Sequence, residues 1–196
     1  MNSSAGPYHC GGVDLEENEV KQAVASCLHI LYQSDRALFV NDVSERAITH
    51  KLAEYLQTQF KDFNVDCEYN RNSGNGLQNP KRLRLLADEK TRIKMKALGQ
   101  STNAEEEDEI HLSVSTYPDI IVHHRLSNDH NLLVIEVKKR NSPVSRDYDY
   151  RKIEAFTDQS SNPYKYKFGV FILLGTGSEN LTPAELVWFK DGRSQS

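Results

Sequence analysis

Apolar positions recur along this chain with two different periods, and the change from one to the other outlines the fold. From Asp14, a candidate cap, to about Tyr32, the residues Val20, Val24, Cys27, Leu28 and Leu31 fall on one face of a helix. A second helical pattern runs from about Val43 to Phe60, with Ile48, Leu52, Tyr55, Leu56 and Phe60 in step. Three short β-type runs follow, at Asn64–Asn70, Tyr117–His124 and Asn131–Lys139, and the polar stretch Leu126–His130 suits a hairpin between the last two. Helical spacing returns from about Arg146 to Gln159, with Tyr150, Ile153 and Phe156 inward. Strand patterns then close the chain at Phe168–Leu174 and Glu185–Lys190. This order predicts an α/β fold, a mixed sheet flanked by helices.

Residues 1–13 are small and polar and are expected to be a flexible N-terminal arm, leaving 14–196 as a single domain. The connection at about 72–115 is too long for an ordinary loop, so it is expected to be an insertion with a helix of its own near Leu85–Leu98. A length of 196 residues allows one full core, and two independent domains would be cramped. No apolar run approaches the roughly 20 residues that span a bilayer. The N-terminus lacks the basic start and apolar stretch of a secretory signal, so a cytoplasmic protein with no membrane association is expected. Cys10, Cys27 and Cys67 are odd in number and lack metal-ligand spacing, and read as reduced thiols.

Net charge is −4, which does not mark a nucleic-acid binder, but the distribution is uneven. Lys81, Arg82, Arg84, Lys90, Arg92, Lys94 and Lys96 crowd one stretch, and Glu105–Glu109 follows as an acidic block. Two readings stand: a phosphate-binding patch beside a solvated loop, or two oppositely charged faces of a surface insertion.

Candidate chemistry emerges from a carboxylate–x–lysine pattern that occurs three times: Glu19/Lys21, Asp88/Lys90 and Glu136/Lys138. The first lies in a predicted helix, where residues two apart do not share a face, and the second in a charged insertion. Only Glu136 and Lys138 end an apolar strand, Leu132 to Val137, where residues two apart emerge side by side. Charges there are costly unless paired or metal-bound. Asp119 opens the preceding apolar run, and pairing of the two strands as a hairpin would bring it toward Glu136. Two converging carboxylates make a hard-oxygen site suited to Mg2+ or Mn2+, completed by water, a backbone carbonyl (that of Val137) and a phosphate oxygen. Lys138 would orient water or stabilise charge on the phosphate.

Pro118-Asp119, the seventeen-residue step to Glu136, and Glu136-Val137-Lys138 together resemble the PD-(D/E)xK nuclease superfamily. The resemblance covers about two-thirds of the chain and implies a restriction-endonuclease-like fold whose core is helix, three-stranded meander, helix, strand. It implies a metal-dependent deoxyribonuclease with Asp119, Glu136 and Lys138 catalytic and a magnesium or manganese cofactor. Many members add a glutamate on the helix before the meander, and Glu45 matches it; the alternative is a capping box with Asp42. Gln159 is a weaker match to a glutamine that some members use near the metal. Arg71, Lys81, Arg82, Arg84, Lys139, Arg151 and Lys152 are candidate nucleic-acid contacts, each with ordinary surface charge as its alternative. DNA is the expected partner and RNA an open one. A homodimer, or a partner subunit that supplies recognition, fits the small size. The nuclease so implied is one that a defence, mobile-element or repair system would use; the competing function is a non-catalytic nucleic-acid-binding or assembly subunit of the same fold.

Overall fold

Helix α1 (Glu17–Ser34) is the first element described, its first turn closed by the Glu16 amide donating to Glu19 Oε2 at 2.7 Å. Asp14 is not the cap; its carboxylate accepts instead from Lys167 Nζ at 2.6 Å. The face made by Val20, Val24, Cys27, Leu28 and Leu31 is buried as the spacing predicted. A short helix α2 (Arg36–Val40) leads into α3 (Glu45–Gln59), where Ser44 caps by accepting from the Ala47 amide at 3.3 Å. The Asp42–Glu45 capping box is therefore not formed, and the Glu45 carboxylate is directed elsewhere.

The computed structural model describes residues 14–69, 71–72, 79–80, 82–86, 111–115, 117–125, 127–160, 162–178 and 181–195. Strand β1 (Asn64–Cys67) is followed by two small antiparallel ladders, β2 (Arg71–Asn72) with β3 (Asn79–Pro80) and β4 (Arg82–Leu86) with β5 (His111–Ser115). Residues 85–86 thus begin in a strand and not in the helix expected for 85–98, the remainder of which lies outside the described residues, as does the arm 1–13. The local reason is visible in Arg82-Leu83-Arg84-Leu85, which alternates with the strand period, and Leu83 is fully buried.

The main sheet follows with β6 (Ile120–His123), β7 (Leu133–Lys139), helix α4 (Asp147–Thr157), β8 (Phe168–Leu174), β9 (Glu185–Lys190) and β10 (Arg193–Gln195). Its order is β1-β6-β7-β8-β9-β10, with β7 and β8 parallel and every other pair antiparallel. The fold is α/β with a six-stranded mixed sheet, longer than a three-stranded meander plus one strand. Asp191 and Gly192 both have positive φ, 51° and 74°, and form the two-residue turn that adds β10, a strand not anticipated.

Alternation along β6, β7 and β8 splits the core into two layers. Ile120, Val122, Leu133, Ile135, Val137, Val170 and Ile172 face α1 and α3, whereas Ile121, Val134, Phe171 and Leu173 face Ile153 and Phe156 of α4. Burial on both faces explains why β7 and β8 read as continuous apolar runs. Gly169 is where α4 comes closest: a Cβ there would stand 2.2 Å from the Ile153 Cγ2 methyl. Among the described residues, no helix is long and apolar enough to cross a membrane.

Candidate active site

Strands β6 and β7 pair with Ile120 opposite Ile135, so one step outward Asp119 stands opposite Glu136 at the sheet's end. Both share parity with Ile121 and Val134, the α4 side of the sheet. Asp119 Oδ2 accepts from the Val137 amide at 2.7 Å, which prolongs the ladder by a side chain. Glu136 is 2% exposed; its Oε2 accepts from Lys152 Nζ at 2.6 Å, and its Oε1 is buried with no hydrogen-bond partner among the described residues. Such an oxygen is costly, and of the buried polar atoms left without a partner among the described residues, with Asn131 Oδ1 and Thr176 Oγ1, it belongs to an acid.

Lys138 emerges on the same face, and its ammonium pairs with the Asp149 carboxylate. Lys152 Nζ lies 3.9 Å from Asp149 Oδ1, so the charges form a chain, Glu136–Lys152–Asp149–Lys138. Lys152, expected as a nucleic-acid contact or an exposed helix charge, is neither: it is 7% exposed because it shares the inward stripe of α4 with Ile153 and Phe156, and its ammonium is taken by Glu136. Asp149 was not singled out from the sequence, although positions 149, 152, 153 and 156 carry the helical spacing of one face.

Burial first, then the charges of Glu45 and Asp149, pushes the Asp119 carboxyl up to about 6, against the Val137 amide and Lys152, which favour ionisation. Burial and the neighbouring Asp119 raise Glu136 well above the carboxylate range, with Lys152 opposing. Burial alone would lower Lys152, but Glu136, Asp119 and Asp149 outweigh it and hold its proton more firmly than in water. These are the signatures of negative charge gathered in a dry place.

Glu45 approaches from the other layer. Its Oε2 accepts from the Lys139 amide at 2.8 Å, which ties the start of α3 to the end of β7. Lys139 has the opposite parity to Lys138 and pairs with Asp42 Oδ1 at 2.7 Å. A cleft of about 660 Å³ between α3 and the end of β1 is lined by Glu45, Arg46, His50 and Tyr117 and reaches Asp119. The structure thus brings Asp119, Glu136, Lys138 and Glu45 to one end of the sheet. Among the described residues no group of three or more His, Cys, Asp or Glu side chains forms a ligand set for an ion.

Gln159 is not with them. It follows the far end of α4, donates to the carbonyls of Thr157 and Tyr166, and lines a pocket at the opposite edge of the sheet with Asn131 and Lys167. Arg151 lies on α4, its Nε donating to the Asp147 carbonyl. Arg71 is in β2 and Arg82 and Arg84 are in β4, but their side chains and the whole of Lys81 lie outside the described residues. His123, buried on the Asp119 face, is held at 2.9 Å by the half-buried Asp66. Cys27 and Cys67 are free thiols. No protein-family model matches this chain, and comparison with curated proteins and with solved structures found no match.

Proposed function

We propose that this chain is a magnesium- or manganese-dependent nuclease that hydrolyses DNA phosphodiester bonds. The observation that carries the reading is the Asp119–Glu136 pair at the end of two buried strands, with Glu136 Oε1 buried and unclaimed. An apolar strand end without function would not keep a carboxylate oxygen in that state. The order α3, antiparallel β1–β6–β7, α4, parallel β8 adds support, because it follows the restriction-endonuclease-like core that the sequence resembles.

The donor set fits a hard divalent cation: Asp119, Glu136 and the Val137 carbonyl would hold it, with the remaining positions left to water and phosphate. When bound, the ion supplies Lewis acidity toward a phosphate oxygen and makes water a better nucleophile at neutral pH. Hydrolysis forms one bond from water oxygen to phosphorus, breaks one bond from phosphorus to an ester oxygen, and moves a proton from the water to the departing oxygen by way of solvent. Lys138 contributes N–H donors to charge that builds on the phosphate, and Asp149 keeps that ammonium in place. Lys152 balances Glu136 and so keeps two facing carboxylates compatible with the fold. Glu45, through the Lys139 amide, fixes the strand end that carries Lys138.

A second reading has its own observation. Glu136 and Lys138 are each already paired, with Lys152 and Asp149, and a closed buried network of this kind also suits a non-catalytic nucleic-acid-binding or assembly subunit. Cleavage of supercoiled plasmid and of labelled linear and branched DNA with Mg2+ or Mn2+ separates them. The nuclease reading expects metal-dependent cutting, abolished in Glu136→Ala and reduced at least a hundredfold in Lys138→Ala. Cutting by Lys138→Ala at the wild-type rate would refute the mechanism, and no cutting by wild type under any metal would favour the subunit.

A further inference from the structure

Four large hydrophobic side chains are exposed among the described residues: Val40, Tyr117, Val144 and Tyr148. All four lie at the end of the sheet that carries Asp119 and Glu136. Val40 ends α2, two residues before the Asp42 that pairs with Lys139, and Val144 lies in the connection from β7 to α4. The two aromatic members flank the carboxylates. Tyr117, 56% exposed, lines the cleft that reaches Asp119, and Tyr148, 41% exposed in the first turn of α4, has its ring 5.8 Å from Lys152 Nζ, the cation that holds Glu136. Isolated exposed tyrosines are common on protein surfaces, but here both stand beside the same two acids, half-buried Asp119 and buried Glu136.

We infer that Tyr117 and Tyr148 form a stacking platform for the bases of an unpaired DNA strand on either side of the phosphate at the Asp119–Glu136 pair. The inference rests on the nuclease reading and adds its substrate class. A phenol ring offers a π-face to any base, but a base in a duplex already has both faces covered, so such rings select strands whose bases are free. Charge agrees with this choice. The cleft sets Arg46 and His50 against Glu45, Glu68 and Asp119, and Arg46 is itself bound to Glu68 at 2.8 Å. A wall in which carboxylates outnumber cations does not grip the phosphates of a duplex, and base stacking supplies what electrostatics does not.

The test is binding, measured in EDTA so that cleavage plays no part. A fluorescein-labelled single-stranded DNA 20-mer of mixed sequence and the same sequence as a blunt duplex are titrated with the full chain, and a second single strand carries 2-aminopurine. The expected result is at least tenfold tighter binding of the single strand, with 2-aminopurine emission quenched on binding. Tyr117→Ala and Tyr148→Ala should each weaken single-strand binding roughly tenfold and relieve the quenching, whereas Tyr117→Phe and Tyr148→Phe retain both. Equal affinity for duplex and single strand, or no binding of either, overturns the inference. So does single-strand affinity unchanged in both alanine variants, or an effect of those variants on self-association alone by light scattering. Because the readout is affinity without metal, a platform that binds but never cuts would fail the nuclease reading only. Metal-dependent cutting indifferent to both tyrosines would fail the platform only.

Discussion

At neutral pH Asp119 is ionised in surroundings that favour its proton up to about pH 6. A carboxyl whose folded value lies above its ordinary value binds more protons in the native state than in the unfolded one, so stability falls as pH rises through that interval. The penalty is absent below about 3.8 and complete above about 6. Asp119→Asn keeps an oxygen for the Val137 amide and removes the charge, so it should stabilise the metal-free protein by about 1–3 kcal/mol at pH 7, a gain that shrinks toward zero at pH 4. Urea midpoints at the two pH values test this, and a variant less stable than wild type at pH 7 would refute the electrostatic account. A gain in stability on losing a residue is the usual trade at functional sites. Asp119, Glu136 and Lys138 were legible because strand parity is strict and charges at the end of an apolar run are conspicuous. Lys152 and Asp149 were not, because helix charges are mostly solvated, and the spacing that set Ile153 and Phe156 inward does not say that charges beside them follow. Glu45 stood out as a charge on an apolar face, but its partner, the Lys139 amide 94 positions away, is visible only in the fold.

The placement of α4 depends on one small residue in the strand beneath it. A methyl group at position 169 would overlap the Ile153 branch and press on the Thr157 Cγ2 methyl at 3.0 Å, and both neighbours are buried β-branched side chains with little freedom to move. Gly169→Ala should therefore cost about 1–3 kcal/mol, read as a lowered urea midpoint. An unchanged midpoint would mean that α4 shifts to accommodate the methyl. Elements with a strong period were readable in advance: α1, α3, β7, β8 and β9 lie where the spacing put them, within a few residues. Errors arose where the period was short or ambiguous. Leu85 and Leu86 were absorbed into a charged helix although the alternation of Arg82–Leu86 is that of a strand, and β10 was missed although Asp191-Gly192 is a strong two-residue turn signal. The five-residue α2 is too short to show a period at all.

Across the whole molecule, the two layers leave one end of the sheet where α3 and α4 both begin. Two helix N-termini, each a partial positive charge, thus converge near the paired carboxylates of a chain whose net charge is −4. Neither these dipoles nor Lys152 restores Asp119 to its ordinary value, so the metal-free fold holds a residual electrostatic debt that a divalent cation is suited to remove. Any ligand that binds only the native state raises stability by mass action, by about 2.7 kcal/mol when present at a hundred times its Kd. For a domain of this size each kcal/mol moves Tm by about 2–4 °C, so saturating Mn2+ should raise Tm by about 5–11 °C. The pattern among variants carries more weight than the size. Asp119→Ala and Glu136→Ala should lose the shift, whereas Lys138→Ala should retain it, because its ammonium serves the phosphate and not the ion. A shift of equal size in Asp119→Ala and Glu136→Ala would place the cation elsewhere on the surface. A shift lost in Lys138→Ala would mean that Lys138 and Asp149 are part of the cation site, and the division of labour between strand carboxylates and lysine would have to be redrawn.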